Sequence, residues 1–272
     1  MSLPRPCARV PRRRRALIAG VAVLGLMAAG CGGASRPAPV APLTEHVAGN
    51  RFTVTFSGAA LQAAQGAGIN LAAVVSRALE RINALLPGPH TTVAVGLGPP
   101  GAVIPQTGAS GATGRAGQVT VSFRPTPQAS LRTAVEFSLP RALSHEVDHS
   151  VRILAGPGIG TTLLPQIIAE GISSGFDEAA FPGPPDPWDR AISPSQECAL
   201  WNTAQLDLGD VGMYNLWMFG SPGVIPHWTG FTIGYDIVKD YRGRHPQVSW
   251  AALTSASAAA ILAGSGYRPC AK

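Results

Sequence analysis

The chain has 272 residues, with 21 Lys and Arg against 15 Asp and Glu, a formal charge of +6 and a pI near 9.6. That length supports one sizeable domain or two small ones. The basic balance does not point to nucleic acid, because six of the cations, Arg5, Arg9 and Arg12 to Arg15, fall in the first thirty residues and no acidic residue does. Without that segment the charges balance, and no basic stripe interleaved with aromatics remains.

The N-terminal arginines precede the apolar run ALIAGVAVLGLMAAG. This is short for a transmembrane helix and has the form of an export signal over residues 1–30. The junction Leu26-Met27-Ala28-Ala29-Gly30-Cys31 resembles a bacterial lipobox, which implies a lipid on Cys31 and anchoring to the outer face of a membrane. Lipoboxes usually have Leu three residues before the cysteine, where this chain has Ala28, so cleavage to a secreted form is the alternative. Cys7 lies in the signal, which leaves Cys198 and Cys270 for the folded part. In an oxidising compartment two thiols suggest one disulfide. It would close a loop of about 70 residues, worth roughly 3 to 5 kcal/mol in the chain-entropy estimate. Two unpaired buried cysteines are the alternative.

Residues 31–50, rich in Gly, Ala and Pro, read as a flexible tether, and the domain is expected over 51–272. RFTVTF, from Arg51, alternates as a strand or an ordered arm. Over 69–86 the apolar residues Leu71, Val74, Val75, Leu79, Ile82 and Leu86 recur at helical steps, and Pro87-Gly88-Pro89 stops the helix. TTVAVGLG and QVTVSFRP are two β-rich segments of a small sheet, separated by a Gly- and Ala-rich stretch, residues 99–117, that reads as a long mobile loop. Helical composition resumes over 131–154, interrupted by Pro140, and again over 162–180, with the glycine-rich connector GPGIG between the two. FPGPPDPW ends that helix. Residues 195–208, 229–241 and 250–262 have helical spacing. The expected class is α+β: a small sheet, a helix pair and a mainly helical C-terminal portion.

The chemistry concentrates in Ser144-His145-Glu146-Val147-Asp148-His149. A four-residue step on a helix places the two imidazoles on one face, where they can grip one metal ion. Glu146 projects beside that ion and can take a proton from water as general base. Glu170 lies 21 residues after His149 in the middle of an apolar face, where a lone carboxylate needs a partner. Two antiparallel helices would set it opposite the histidines, giving three protein ligands and an open fourth position, the pattern of a catalytic zinc site with one Zn²⁺ per chain. A surface helix with two solvated histidines is the alternative reading of the motif.

HEVDHSVR, with Arg152 as its last residue, and EGIS, from Glu170 to Ser173, resemble HExxHxxR and EGLA of a bacterial family of predicted zinc-dependent proteases in the gluzincin group. PHWTGFTIGY, ending at Tyr235, resembles a downstream block of that family, so the likeness spans residues 131–241. It implies a zincin-like fold, His145, His149 and Glu170 as zinc ligands, Glu146 as catalytic base, and a peptide or protein substrate. Ser173 replaces the family's alanine. Where many gluzincins orient a histidine with an Asp, this chain has Ser174, and the nearest carboxylate is Asp177. For the oxyanion that forms on the substrate, His227 and Tyr235 are the candidate donors. Tyr235 also shares a helical face with Phe231 and Val238, and His227 could pack in a turn. His46, His90 and His245 have no partner at ligand spacing, and Trp188, Trp201, Trp217, Trp228 and Trp250 could line a cleft, although large aromatics are more often core. The competing reading is an envelope lipoprotein that keeps the zinc-site residues for binding or scaffolding without turnover.

Overall fold

The computed structural model describes residues 39–271. The expected signal at 1–30 and the candidate lipid site Cys31 lie outside them. The described part is α+β, with a five-stranded sheet β1 (Leu43–Val47), β2 (Phe52–Phe56), β3 (Thr91–Leu97), β4 (Ala109–Thr113) and β5 (Val119–Phe123). The spatial order is β1-β2-β3-β5-β4, parallel at β2/β3 and β3/β5, antiparallel at β1/β2 and β5/β4. Two expectations change here. The tether does not extend to residue 50, because Leu43–Val47 pairs with β2 through a tight turn in which Ala48, Gly49 and Asn50 all have positive φ. The stretch 99–117 is not a structureless loop, because Ala109–Thr113 forms the edge strand.

Period-two alternation buries Phe52, Val54 and Phe56 of β2, Val93 and Val95 of β3, and Val119, Val121 and Phe123 of β5 on one face. The parallel β2/β3 pair requires a crossover, supplied by α1 (Gly58–Gly66), which composition did not mark, and α2 (Leu71–Leu85). Asn70 caps α2 by accepting from the Ala73 amide, and Leu71, Val75, Leu79 and Ile82 face the sheet.

The next helical run begins with the single turn α3 (Leu131–Thr133) and passes through a wide turn at Ala134–Ser138 into α4 (Leu139–Ala155). Pro140 therefore sits in the first turn of α4, where its missing N–H costs least, and the helix is not broken there. Leu139, Leu143, Val147 and Val151 recur at four-residue steps and join the sheet's core. The opposite face of α4 carries His145, Glu146 and His149. After the connector comes α5 (Leu163–Ala180), then α6 (Pro194–Asp207), α7 (Tyr214–Phe219), α8 (Thr229–Arg244), α9 (Trp250–Ser255) and α10 (Ala258–Ser265). These helices build a second core around Ile167, Ile172, Trp217, Ile233, Ile237 and Tyr267. α5 and α8 cross at Gly171 and Gly234. A Cβ on Gly171 would lie 2.1 Å from the Gly234 carbonyl oxygen, and one on Gly234 would lie 2.2 Å from that of Ile167. Cys198 and Cys270 are disulfide-bonded, joining α6 to the C-terminal segment. Among the described residues no helix is long and apolar enough to cross a membrane.

Candidate metal centre

Three donors converge between α4 and α5. His145 and His149 are one turn apart on α4, and Glu170 faces them from α5, all three buried. The two Nε2 atoms lie 3.1 and 3.2 Å from the same carboxylate oxygen, Glu170 Oε2. One ligand atom from each residue falls within 4.8 Å of the others, the only such group of His, Cys, Asp and Glu found among the described residues. Donors bound to zinc at ~2.0–2.1 Å stand about 3.3 Å apart on a tetrahedron. The imidazole-to-carboxylate separations match that spacing, and two nitrogens with one carboxylate oxygen are donors zinc accepts, so the residues fit the ion.

Electrostatics agree. Burial opposes charge on both imidazoles, yet facing carboxylates raise both: Asp177 and Glu170 hold His145 well above its ordinary range, and Glu170 raises His149. Burial likewise opposes ionisation of Glu170, but the His149 and His145 rings outweigh it and hold its carboxyl far below the usual range. The buried carboxylates and imidazoles thus balance one another's charge.

The far side of each imidazole faces a polar group. His145 Nδ1 lies 3.6 Å from Asp177 Oδ2, an ion-pair contact longer than a hydrogen bond. Asp177 accepts from Arg141 at 2.8 Å, and Arg141 also approaches Asp186 at 2.8 Å. His149 Nδ1 meets Ser173 Oγ at 3.2 Å, and Ser173 donates to Asp148 at 2.8 Å. The place left open by Ser174, which instead accepts from Trp188 Nε1, is therefore taken by Asp177 one helical step on.

The histidine face of α4 forms the floor of a cleft of about 600 Å³. β4 forms one wall, carrying Gly111 and Thr113. Thr113 Oγ1 lies 2.7 Å from Glu146 Oε2 and 2.8 Å from the Glu146 carbonyl oxygen, so the edge strand holds this side chain in place. A Cβ on Gly111 would come within 2.4 Å of Glu146 Cγ, so only glycine lets the strand pass this close. The opposite wall carries Tyr214, Phe219, His227, Trp228 and Trp188.

The two candidate oxyanion donors separate. His227 lines the cleft, its Nδ1 2.8 Å from the Phe219 carbonyl oxygen, with its ring against Trp228. Tyr235 does not line it: its hydroxyl donates to Glu178, and Arg190 and Lys239 lie over its ring. Gly234 seats α8 against Ile167 and Gly171 of α5, and the next residue, Tyr235, reaches Glu178 further along the same helix instead of the cleft. The tyrosine brought to the centre is Tyr214, whose hydroxyl donates to Glu170 Oε1 at 2.7 Å. Burial and the adjacent Glu170 raise its pKa strongly, so it remains a donor at all ordinary pH. No periodicity marks Tyr214, which sits on a six-residue helix between glycine-rich turns. Thr113 was hidden in a stretch whose Gly, Ala and Ser content resembles a loop.

The chain belongs to the family described as Predicted Zn-dependent protease (DUF2268), whose family model matches residues 71–263. No curated protein matches it. Among solved structures it is similar to an aminopeptidase N family protein from Idiomarina loihiensis, at 12% identity and a TM-score of 0.46, over 79% of this chain and 40% of that one. The chain thus spans less than half the length of that protein.

Proposed function

We propose that the protein is a zinc-dependent peptidase of the gluzincin type acting outside the cytoplasm, with one Zn²⁺ held by His145, His149 and Glu170. The observation that carries this reading is the convergence of two Nε2 atoms on one Glu170 oxygen, with the Glu146 carboxylate anchored beside them on the cleft floor. Zinc bound there supplies a Lewis acid that polarises a carbonyl and acidifies water. Glu146 takes the proton from the attacking water on the oxygen that Thr113 does not engage and returns it to the leaving amine. The free edge of β4 offers backbone groups with which an extended peptide can pair, laying a scissile bond across α4. Tyr214 replaces Tyr235 as the candidate donor to the developing oxyanion, a role in which its single hydroxyl hydrogen turns from Glu170 Oε1 to the substrate oxygen, with His227 on the same wall as the second candidate.

The N-terminal sequence supports export by residues 1–30 and a lipid on Cys31 holding the domain at a membrane, with secretion if the cysteine is not acylated, and the balanced charge of the remainder gives no support to a nucleic-acid partner. The Cys198–Cys270 disulfide supports an oxidising compartment. The test compares zinc content and peptide hydrolysis of the wild type and Glu146→Gln. The expected result is one zinc on each protein, with hydrolysis reduced about 10²- to 10⁴-fold in the variant. A wild type that takes up no zinc refutes the reading, and one that holds zinc but cleaves no peptide supports the non-catalytic scaffold.

A further inference from the structure

We propose that Asp148 and Ser173 act as a two-residue relay that places the proton of the neutral His149 ring on Nδ1, so that Nε2 can present its lone pair to a metal ion. The inference rests on the metallopeptidase reading and names two positioning residues within it.

The argument is a count of hydrogens. Neutral imidazole has one N–H, and a histidine serves as ligand through the nitrogen that lacks it. His145 has the Asp177 carboxylate 3.6 Å from its Nδ1, and that negative charge favours the proton on that side. The Nδ1 of His149 instead meets the Ser173 hydroxyl at 3.2 Å. A hydroxyl can donate or accept, so by itself it would leave the tautomer undecided. Asp148 removes the ambiguity. Its Oδ2 lies 2.8 Å from Ser173 Oγ, and a carboxylate can only accept, so the one hydroxyl hydrogen of Ser173 is committed to Asp148. Toward His149 the serine then has only lone pairs, and Nδ1 must bring the hydrogen. Nε2 then carries a lone pair toward the space it shares with Glu170 Oε2, 3.2 Å away, where a metal ion would sit between the two.

Asp148 is itself held for this task. It is fully buried in the middle of α4, and its other oxygen accepts from Thr254 Oγ1 of α9, 106 residues away. Arg152, one turn further along α4, supplies the compensating charge and is tied to the Thr254 carbonyl oxygen at 2.7 Å. A carboxylate with no side chain of its own against the histidine thus acts on it through Ser173, and the C-terminal α9 is coupled to the ligand helix through the same pair. Orienting partners of this kind typically change metal affinity 10- to 100-fold.

The test measures zinc affinity of the purified protein by competition with a chromophoric chelator, alongside thermal unfolding of the metal-free form. The variants are Ser173→Ala, Ser173→Thr and Asp148→Asn. Ser173→Ala is expected to weaken zinc binding about 10- to 100-fold and to lower the unfolding temperature through the lost buried hydrogen bond to Asp148, Ser173→Thr to restore most of both by returning the hydroxyl, and Asp148→Asn to weaken zinc binding in part. Ser173→Ala binding within about threefold of wild type overturns the relay and leaves the peptidase reading intact. Equal loss in Ser173→Ala and Ser173→Thr, with lowered unfolding temperature in both, also overturns it by showing a packing role. A wild type that binds no zinc overturns both.

Discussion

Gly171→Ala is expected to destabilise the protein although alanine is the better helix former. The added Cβ would stand 2.1 Å from the Gly234 carbonyl oxygen and 2.2 Å from its carbon, whereas real Cβ atoms essentially never approach closer than 3.0 Å. The crossing of α5 and α8 must therefore open by about 1 Å, and the obstructing atoms are backbone that cannot rotate aside. Overpacking of this kind costs roughly 1 to 3 kcal/mol or more. The upper end applies here, and the gain of about 1 kcal/mol in helix propensity offsets only part of it. The net loss is about 2 kcal/mol, equivalent to a fall in Tm of about 4 to 8 °C for a domain of this size. Gly243→Ala in the same α8 is the control: nothing lies within 4 Å of its added Cβ, so it should be neutral or stabilising. Urea unfolding of both variants, read as midpoint and slope, checks the argument. Since Glu170 precedes Gly171, the same shift should also weaken zinc binding by moving the carboxylate off the histidines. Gly171→Ala with wild-type stability, or Gly243→Ala equally damaging, would refute the reasoning.

Tyr214→Phe should weaken zinc binding, because the hydroxyl also holds Glu170, and at saturating zinc should lose about 10²- to 10³-fold in kcat, whereas Tyr235→Phe, whose hydroxyl serves Glu178, should leave kcat near wild type; steady-state kinetics on one peptide at saturating zinc decides between them. Stability of the metal-free protein should fall as pH rises from the ordinary carboxylate range to about 8. Burial, and then the charge of Asp177, push Asp186 up to about 8 and Asp189 to about 7. These carboxyls favour folding fully only below the ordinary carboxylate range, and that contribution is lost as pH climbs through their raised values. The raised His145 and His149 act in the same direction, their contribution being present below about 6.5 and lost above their folded values. Glu170, held low, stays ionised until strongly acidic pH and opposes this only there. Thermal melts in chelator should show the decline, with a shallower slope for Asp189→Asn. A melting temperature that rises between about pH 6 and 8.5 would contradict the signs worked out here.

The sequence by itself determined the helix pair. His145 and His149 share a face because the helix repeat puts four-residue neighbours together, and the same step put Leu143, Val147 and Val151 on the opposite side against the sheet. Glu170 stood out because an ionisable side chain on an apolar face requires a partner. The α+β class followed from alternating strands succeeded by amphipathic helices. All of these are local regularities, readable within a turn or two of chain.

Only the tertiary structure decided which distant residues meet. Tyr214 reaches Glu170 across 44 residues, Thr113 reaches Glu146 across 33, and Thr254 reaches Asp148 across 106. None of these pairings leaves a periodic trace, because each depends on where a loop or short helix comes to rest after the two cores have packed. Tyr235 shows the converse: its position in a family-like block suggested a role, but the Gly171–Gly234 contact fixes the rotation of α8 and turns the phenol toward Glu178. β4 was hidden because Gly111, which must be glycine to clear Glu146, made an edge strand resemble a loop. A pattern along the chain records what one element requires of itself, whereas the second partner of His149 and the wall of the cleft are set by packing between elements.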